Sequence, residues 1–125
     1  MIIGMGIDLA PVADIQRLVE RHQARFLNRV FTRGEQEYSM ARRNRYQHLA
    51  ARFAAKEATA KALGTGIGRR VGWTDIEVIH NRNKAPSILL HAEADQLAEQ
   101  MGVVLVHVSL THTDDTAAAV VVLEK

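Results

Sequence analysis

Apolar and small positions alternate from Met1 to Leu9, where Ile3, Met5, Ile7 and Leu9 interleave with Gly4, Gly6 and Asp8. The period of two predicts a strand with one packed face and one nearly bare face. From Val12 the period lengthens: Ile15, Leu18 and Val19 share one side of a predicted helix. Arg17, Arg21, Arg25 and Arg29 recur every four residues on another side, as a solvent-facing stripe. Thr32 followed by Glu35 forms a capping box for a second helix reaching about Arg43. A third and longer helix spans about Asn44 to Leu63, with Leu49, Phe53, Ala60 and Leu63 as its apolar stripe and Gly64 as its stop. Its many alanines between Ala50 and Ala62 would let another element approach closely.

After the loop G-T-G-I-G-R-R-V-G, the segments Trp73 to His80 and Pro86 to His91 read as strands joined by a turn around Asn81 to Ala85. Ala92 to Met101, closed by Gly102, reads as a short amphipathic helix. Val103 to Thr111 and Thr116 to Leu123 are β-branched runs that suit a hairpin. The predicted order is β-α-α-α-β-β-α-β-β. Helices and strands are largely segregated, so the expected class is α+β, with a mainly antiparallel sheet packed against the long central helix.

Composition narrows the picture. At 125 residues, 47% hydrophobic and with two prolines, the chain is expected to form one domain over 1–125. It has no cysteine, which excludes disulfides, thiolate metal sites and a cysteine nucleophile, and fits a reducing, cytoplasmic compartment. The apolar amino terminus lacks a leading basic cluster and meets Asp8 early, so it reads as a strand and not a signal peptide. No apolar run approaches the roughly 20 residues of a membrane span. The net charge of +2 hides an asymmetry: from Arg17 to Arg70 thirteen Lys or Arg face four Glu, leaving +9, and the remainder is net negative. Such polarity points to an anionic partner, whether acidic protein, nucleotide or nucleic acid.

Four features could carry chemistry. Glu57 lies one turn after Phe53 and two after Leu49, on or beside the apolar stripe, where it could pair with Lys61 one turn on or ligate a metal. Asp8 ends the bare strand face and could supply a second oxygen donor or cap the following helix. Two carboxylates, with the rest of the shell left to water and phosphate oxygens, suit magnesium; the lack of Cys and of a paired-His motif argues against zinc. The Gly64-Thr65-Gly66-Ile67-Gly68 loop, beside Arg69 and Arg70, could offer N–H groups to an anion or simply stop the helix. His107 and His112, five residues apart on one strand, fall on opposite faces; His112, at the strand end, is the better placed for a functional loop.

Taken together, G-M-G-I-D near the start, R-F-A-A-K-E-A-T-A-K-A-L-G-T-G-I-G from Arg52 to Gly68 and H-V-S-L-T-H-T near the end resemble the three motifs of the holo-acyl-carrier-protein synthases, the small phosphopantetheinyl transferases. The resemblance covers essentially the whole chain. It implies the phosphopantetheinyl transferase fold and a magnesium-dependent transfer of 4′-phosphopantetheine from coenzyme A to a serine of an apo acyl carrier protein, releasing adenosine 3′,5′-bisphosphate. It implies Asp8 and Glu57 as the magnesium ligands and Lys61 at the phosphates. Arg52, Lys56, Gly64, Thr65, Gly66 and His112 match positions lining the nucleotide and its 3′-phosphate. The serine proton would go to Glu57 or to water. The family assembles as a homotrimer with its sites between subunits, and an acidic carrier would dock on the Arg17, Arg21 and Arg25 face.

The chain departs from the family pattern at two places. Asp14 stands before Ile15 where many members have a basic residue that helps recognise the carrier, and the usual G-K-P turn is Lys84-Ala85-Pro86. Two other readings follow from charge and carboxylates alone. A basic nucleic-acid-binding domain would lack the interleaved aromatics of a stacking platform, since aromatics are only 5%. A magnesium-dependent nuclease would use Asp8, Glu57 and Lys61 but leave the glycine loop and terminal His motif without a role.

Overall fold

A computed structural model describes residues 1–125. Strand β1 (Ile2–Pro11) leads into α1 (Val12–His22), α2 (Ala24–Val30), α3 (Arg33–Met40) and the long α4 (Arg45–Ala62). A single 3-10 turn (Trp73–Asp75) then precedes β2 (Ile76–His80), β3 (Pro86–Leu90), α5 (Ala92–Met101), β4 (Leu105–His112) and β5 (Thr116–Glu124). All strand pairs are antiparallel, as expected, but they form two sheets: β1-β5-β4 and a separate β2-β3 hairpin. No helix is long and apolar enough to cross a membrane.

The first predicted helix is two helices. Gln23 adopts a left-handed φ of 51° and breaks the chain there, so Arg17 and Arg21 belong to α1 while Arg25 and Arg29 belong to α2. The stripe is therefore not continuous, although all four arginines are exposed. The capping box forms as read: the Thr32 hydroxyl accepts the Glu35 N–H at 3.2 Å and the Glu35 carboxylate accepts the Thr32 N–H at 2.8 Å. That box starts α3, which ends at Met40 and not near Arg43. Trp73 to Asp75, read as strand, coil into the 3-10 turn.

The faces of β1 are the reverse of what side-chain size suggests. Its bare face packs: Gly4 and Gly6 lie on α4, where a Cβ on Gly4 would overlap the Ala62 carbonyl and one on Gly6 the Ala58 carbonyl. The fully buried alanines of α4, among them Ala54, Ala55 and Ala58, complete this close approach. The apolar face is left open, with Met5 62%, Ile7 67% and Leu9 65% exposed. Across β5 the same face continues through Val120 and Val122, the register partners of Ile7 and Met5. The core thus lies between α4 and the inner face of the three-stranded sheet, with Val121 and Leu123 fully buried in it.

Because the atom struck at Gly6 is backbone, no rotamer change can relieve it. Gly6→Ala is expected to lower the unfolding free energy by at least about 2 kcal/mol in urea titrations. An unchanged midpoint would show that strand and helix can separate freely.

Candidate active site

Two residues beyond Gly6 on the same strand face, Asp8 is carried to the surface of α4. Lys61 reaches it from the last turn of that helix, with Nζ 2.8 Å from Asp8 Oδ1 and 3.2 Å from the Ile7 carbonyl. The ammonium remains half exposed, and its pKa is raised first by this hydrogen bond and then by the Asp8 charge. Asp8 does not cap α1, whose N-cap is Pro11 with no side-chain hydrogen bond. Glu57, one turn before Lys61, is in none of the six salt bridges. The simple Glu57–Lys61 surface pair is thus absent. Burial raises the Glu57 pKa, the negative charge of Asp8 raises it further, and Lys61 opposes both.

Two carboxylates under mutual repulsion, served by one ammonium, form a site that a small divalent cation would relieve. No group of three His, Cys, Asp or Glu is gathered for a metal. Two carboxylates alone would suit a hard ion that takes its remaining oxygens from solvent or substrate.

The glycine loop turns its donors inward. Gly64 N–H bonds the Lys61 carbonyl at 2.9 Å, while Thr65 and Gly66 N–H groups bond the Ala60 carbonyl at 3.1 and 3.0 Å, and Gly68 N–H bonds Val71 at 2.9 Å. Gly64 and Gly66 hold φ of 86° and 64°. These bonds close the helix C-terminus, so the expected cradle of free N–H groups is not formed by those residues. What the two glycines offer instead is open space, since a Cβ on either would meet nothing within 4 Å.

Lys56 and Arg52 are not at the surface. Lys56 is fully buried: its ammonium pairs with Glu35 Oε1 at 2.7 Å and donates to the carbonyls of Trp73, at 3.0 Å, and Ile76. All three of its donors are used, which makes it an internal tie between α3, α4 and β2 and leaves nothing for a nucleotide. Glu35 is held as firmly, its second oxygen accepting the Val78 N–H at 2.8 Å.

Arg52, 1% exposed, has no carboxylate partner. It donates to the His48 carbonyl at 3.2 Å, meets His80 Nδ1 at 3.3 Å and lies 4.3 Å from the centroid of the Tyr38 ring, with its Nε unpaired. Sequence reading missed these neighbours. His48 does fall one turn before Arg52 on the same helix, a spacing that could have flagged it; Tyr38 and His80 arrive from other elements. Burial, with Arg52 and Arg42 next, pushes the His48 pKa down to about 4, and burial with the same arginines lowers that of His80. His112 stands beside this group, its ring 6.4 Å from His48, and accepts or donates nothing beyond a contact with the Thr113 carbonyl at 3.2 Å.

His107 and His112 do lie on opposite faces. His107 opposes Val122 on the open apolar face and pairs with Glu124 at 2.9 Å, while His112 opposes Ala117 on the helix-facing side. A pocket of about 540 Å³, lined by Asn28, Phe31, Thr32, Arg33, Gln36 and Thr74, includes none of the predicted site residues.

A family model described as the 4′-phosphopantetheinyl transferase superfamily matches residues 4–121 of this chain. The chain belongs to that superfamily. Its relatives include a holo-[acyl-carrier-protein] synthase of Solibacter usitatus, 46% identical over 124 residues and covering 99% of each chain. Among solved structures, the holo-[acyl-carrier-protein] synthase of Neisseria meningitidis superposes with a TM-score of 0.92 at 34% identity over the whole of both chains. That of Helicobacter pylori, in complex with coenzyme A, superposes with a TM-score of 0.85 at 30% identity, covering 96% of this chain and 99% of its own. Within this superfamily fold, the site lies at the seam between β1 and α4, with its carboxylates toward the end of the helix and its cationic cluster toward the start.

Proposed function

We propose that this chain is a holo-[acyl-carrier-protein] synthase, moving 4′-phosphopantetheine from coenzyme A to a serine of an apo acyl carrier protein. The observation that carries the reading is the Asp8–Glu57 carboxylate pair with Lys61 at its edge, in a chain aligned end to end with synthases of that name. In the transfer the serine Oγ forms a bond to the β-phosphorus of the coenzyme A pyrophosphate. The phosphoanhydride bond breaks, adenosine 3′,5′-bisphosphate leaves, and the serine proton is given up to Glu57 or to water.

Asp8 and Glu57 would hold magnesium, which when bound supplies positive charge to the pyrophosphate oxygens. Lys61 supplies further charge from the same edge and, being half exposed, can turn from Asp8 to a phosphate. Exposed His112 would face the nucleotide, with Arg52 buried behind it. Gly64 and Gly66 leave room for the pantetheine or phosphate to pass close to the backbone. Lys56 acts from inside, fixing α4 against β2. The nuclease reading shares the carboxylates and lysine; membership of the transferase superfamily decides against it.

The carrier would dock on the exposed Arg17, Arg21 and Arg25, where acidic residues find a positive surface. Asp14 alters that surface by pairing with Arg17, which leaves Arg21 and Arg25 as its freest charges. The open sheet face supports assembly into the family's homotrimer: Met5, Ile7 and Leu9 form an exposed apolar band that further copies of the chain would bury. The same proposal places the enzyme in the cytoplasm, which cell fractionation would check.

With magnesium and coenzyme A, the purified protein is expected to add about 340 Da to an apo carrier, the mass of the transferred phosphopantetheine group. Asp8→Asn and Glu57→Gln should each lower the rate by about a hundredfold or more. No mass shift on any of several apo carriers would refute the transfer, and a fully active variant would refute the metal ligands. The carrier KM should rise with salt, and much less so when Arg17, Arg21 and Arg25 are replaced by Ala; an equal rise would place docking elsewhere. By sedimentation the wild type should run at three times its 13.9 kDa chain mass, with Ile7→Asp shifting it to monomer. A monomeric wild type would overturn the assembly.

A further inference from the structure

From Leu49 to Leu63, along α4 and its C-cap, the residues that escape burial are Phe53, Glu57 and Lys61. They stand one turn apart in a single line. Glu57 and Lys61 belong to the carboxylate site; Phe53, at the head of the line, has no charge to contribute. Its ring is neither sunk in the core nor left free. It meets the ring of Trp73 with centroids 4.6 Å apart and planes 31° apart. Trp73, the one tryptophan of the chain, is itself only partly buried.

Trp73 is firmly held. Its carbonyl accepts the buried Lys56 ammonium at 3.0 Å. The Asp75 carboxylate closes the 3-10 turn by accepting the Gly72 N–H at 3.0 Å, and Val71 and Ile76 anchor the turn from either side as fully buried residues. The two rings thus form a fixed apolar wall at the surface. Side chains of a helix lean toward its N-terminus, so Glu57 extends over the turn that carries Phe53. Asp8, its side chain 14% exposed, is covered by Lys61. The carboxylates are therefore flanked by aromatic surface at one end of the line and by an ammonium at the other.

On the transfer reading, on which this inference rests, the wall stands where two acceptors compete. A serine hydroxyl and water are the same kind of nucleophile, and water is always in excess. If water attacks, its oxygen forms the bond to the β-phosphorus and the phosphoanhydride bond breaks. Then 4′-phosphopantetheine and adenosine 3′,5′-bisphosphate leave, and the protons of the water pass to Glu57 or to solvent. Apolar surface beside the carboxylates gives such a water no hydrogen-bond partner, whereas a serine arrives on a protein that excludes solvent as it docks.

We infer that Phe53 decides the acceptor: with Trp73 as its positioning residue, its ring keeps water from the carboxylate pair and reserves the β-phosphorus for the hydroxyl of a docked carrier. Neither ring moves a proton or carries charge. Their loss changes which acceptor is used more than how readily the anhydride bond breaks.

The test follows two products of one reaction with magnesium, coenzyme A and an apo carrier: adenosine 3′,5′-bisphosphate by chromatography and holo-carrier by mass spectrometry. The wild type should release them in equal amounts. In Phe53→Ala and in Trp73→Ala the excess of nucleotide over holo-carrier, matched by free 4′-phosphopantetheine, should rise at least about tenfold relative to transfer, because water reaches the site. Trp73→Phe, which keeps an aromatic ring against Phe53, should bring the ratio back toward wild type. Simple loss of structure would lower both products together and leave their ratio unchanged. An unchanged ratio in Phe53→Ala, a change at a partly exposed position, would overturn the inference while leaving the transfer reading intact. A wild type that forms no holo-carrier would overturn both.

Discussion

Strand β1 can lie against α4 only because Gly4 and Gly6 carry no side chain. Their positions are filled by the carbonyls of Ala62 and Ala58, and the alanines of α4 remove bulk from the other side of the contact. This fixes the height of β1 above the helix to within a methyl group. Asp8, two residues on, inherits that height and lands within hydrogen-bond reach of Lys61. The mutual field of Asp8 and Glu57 is therefore a consequence of backbone packing, since neither carboxylate is steered by a dedicated hydrogen-bond donor on its own element.

The same contact explains the open sheet face. A strand has two faces, and β1 gives its small one to the core, so Met5, Ile7 and Leu9 are left outside. A strand that packs its glycine face inward leaves its large apolar residues on the other side. The packing that brings Asp8 to Lys61 and the open apolar face are in this way two sides of one strand. Inside, the Lys56–Glu35 pair plays the complementary part: Lys56 ties α4 to β2 and the 3-10 turn, while Glu35 ties α3 to β2. Every polar atom of the pair that needs a partner has one, the condition under which a buried ion pair holds a fold without a large desolvation penalty.

Much of this was legible in the sequence. The alternation through Met1 to Leu9, the Thr32–Glu35 capping box, the alanines of α4 and the class of fold are local patterns, and local patterns survive into the structure. Asp8 and Glu57 were legible as candidates because each sat where a plain surface residue would not. The break at Gln23 was not, since glutamine is no signal for a left-handed φ and the apolar period runs through it unchanged. Nor were the fates of Lys56 and Arg52: both look like ligand-facing charges on a helix, and their partners Glu35, Tyr38 and His80 come from elements remote in sequence. The glycine loop failed as a donor set for a different reason. The helix end before it has carbonyls to satisfy, and those claim its N–H groups first.

The central claim is that packing at Gly4 and Gly6 places Asp8 and Glu57 in one electrostatic site that a divalent cation completes. Carbon-13 NMR titration of the Glu57 carboxyl, with and without magnesium and coenzyme A, tests it most directly. Without metal, Glu57 should titrate above the usual glutamate range, the direction set by its burial and by Asp8. With metal and co-substrate its midpoint should fall below that range, and Asp8→Asn should remove part of the initial rise. A Glu57 carboxyl that titrates normally and ignores both magnesium and the Asp8 substitution would contradict the account.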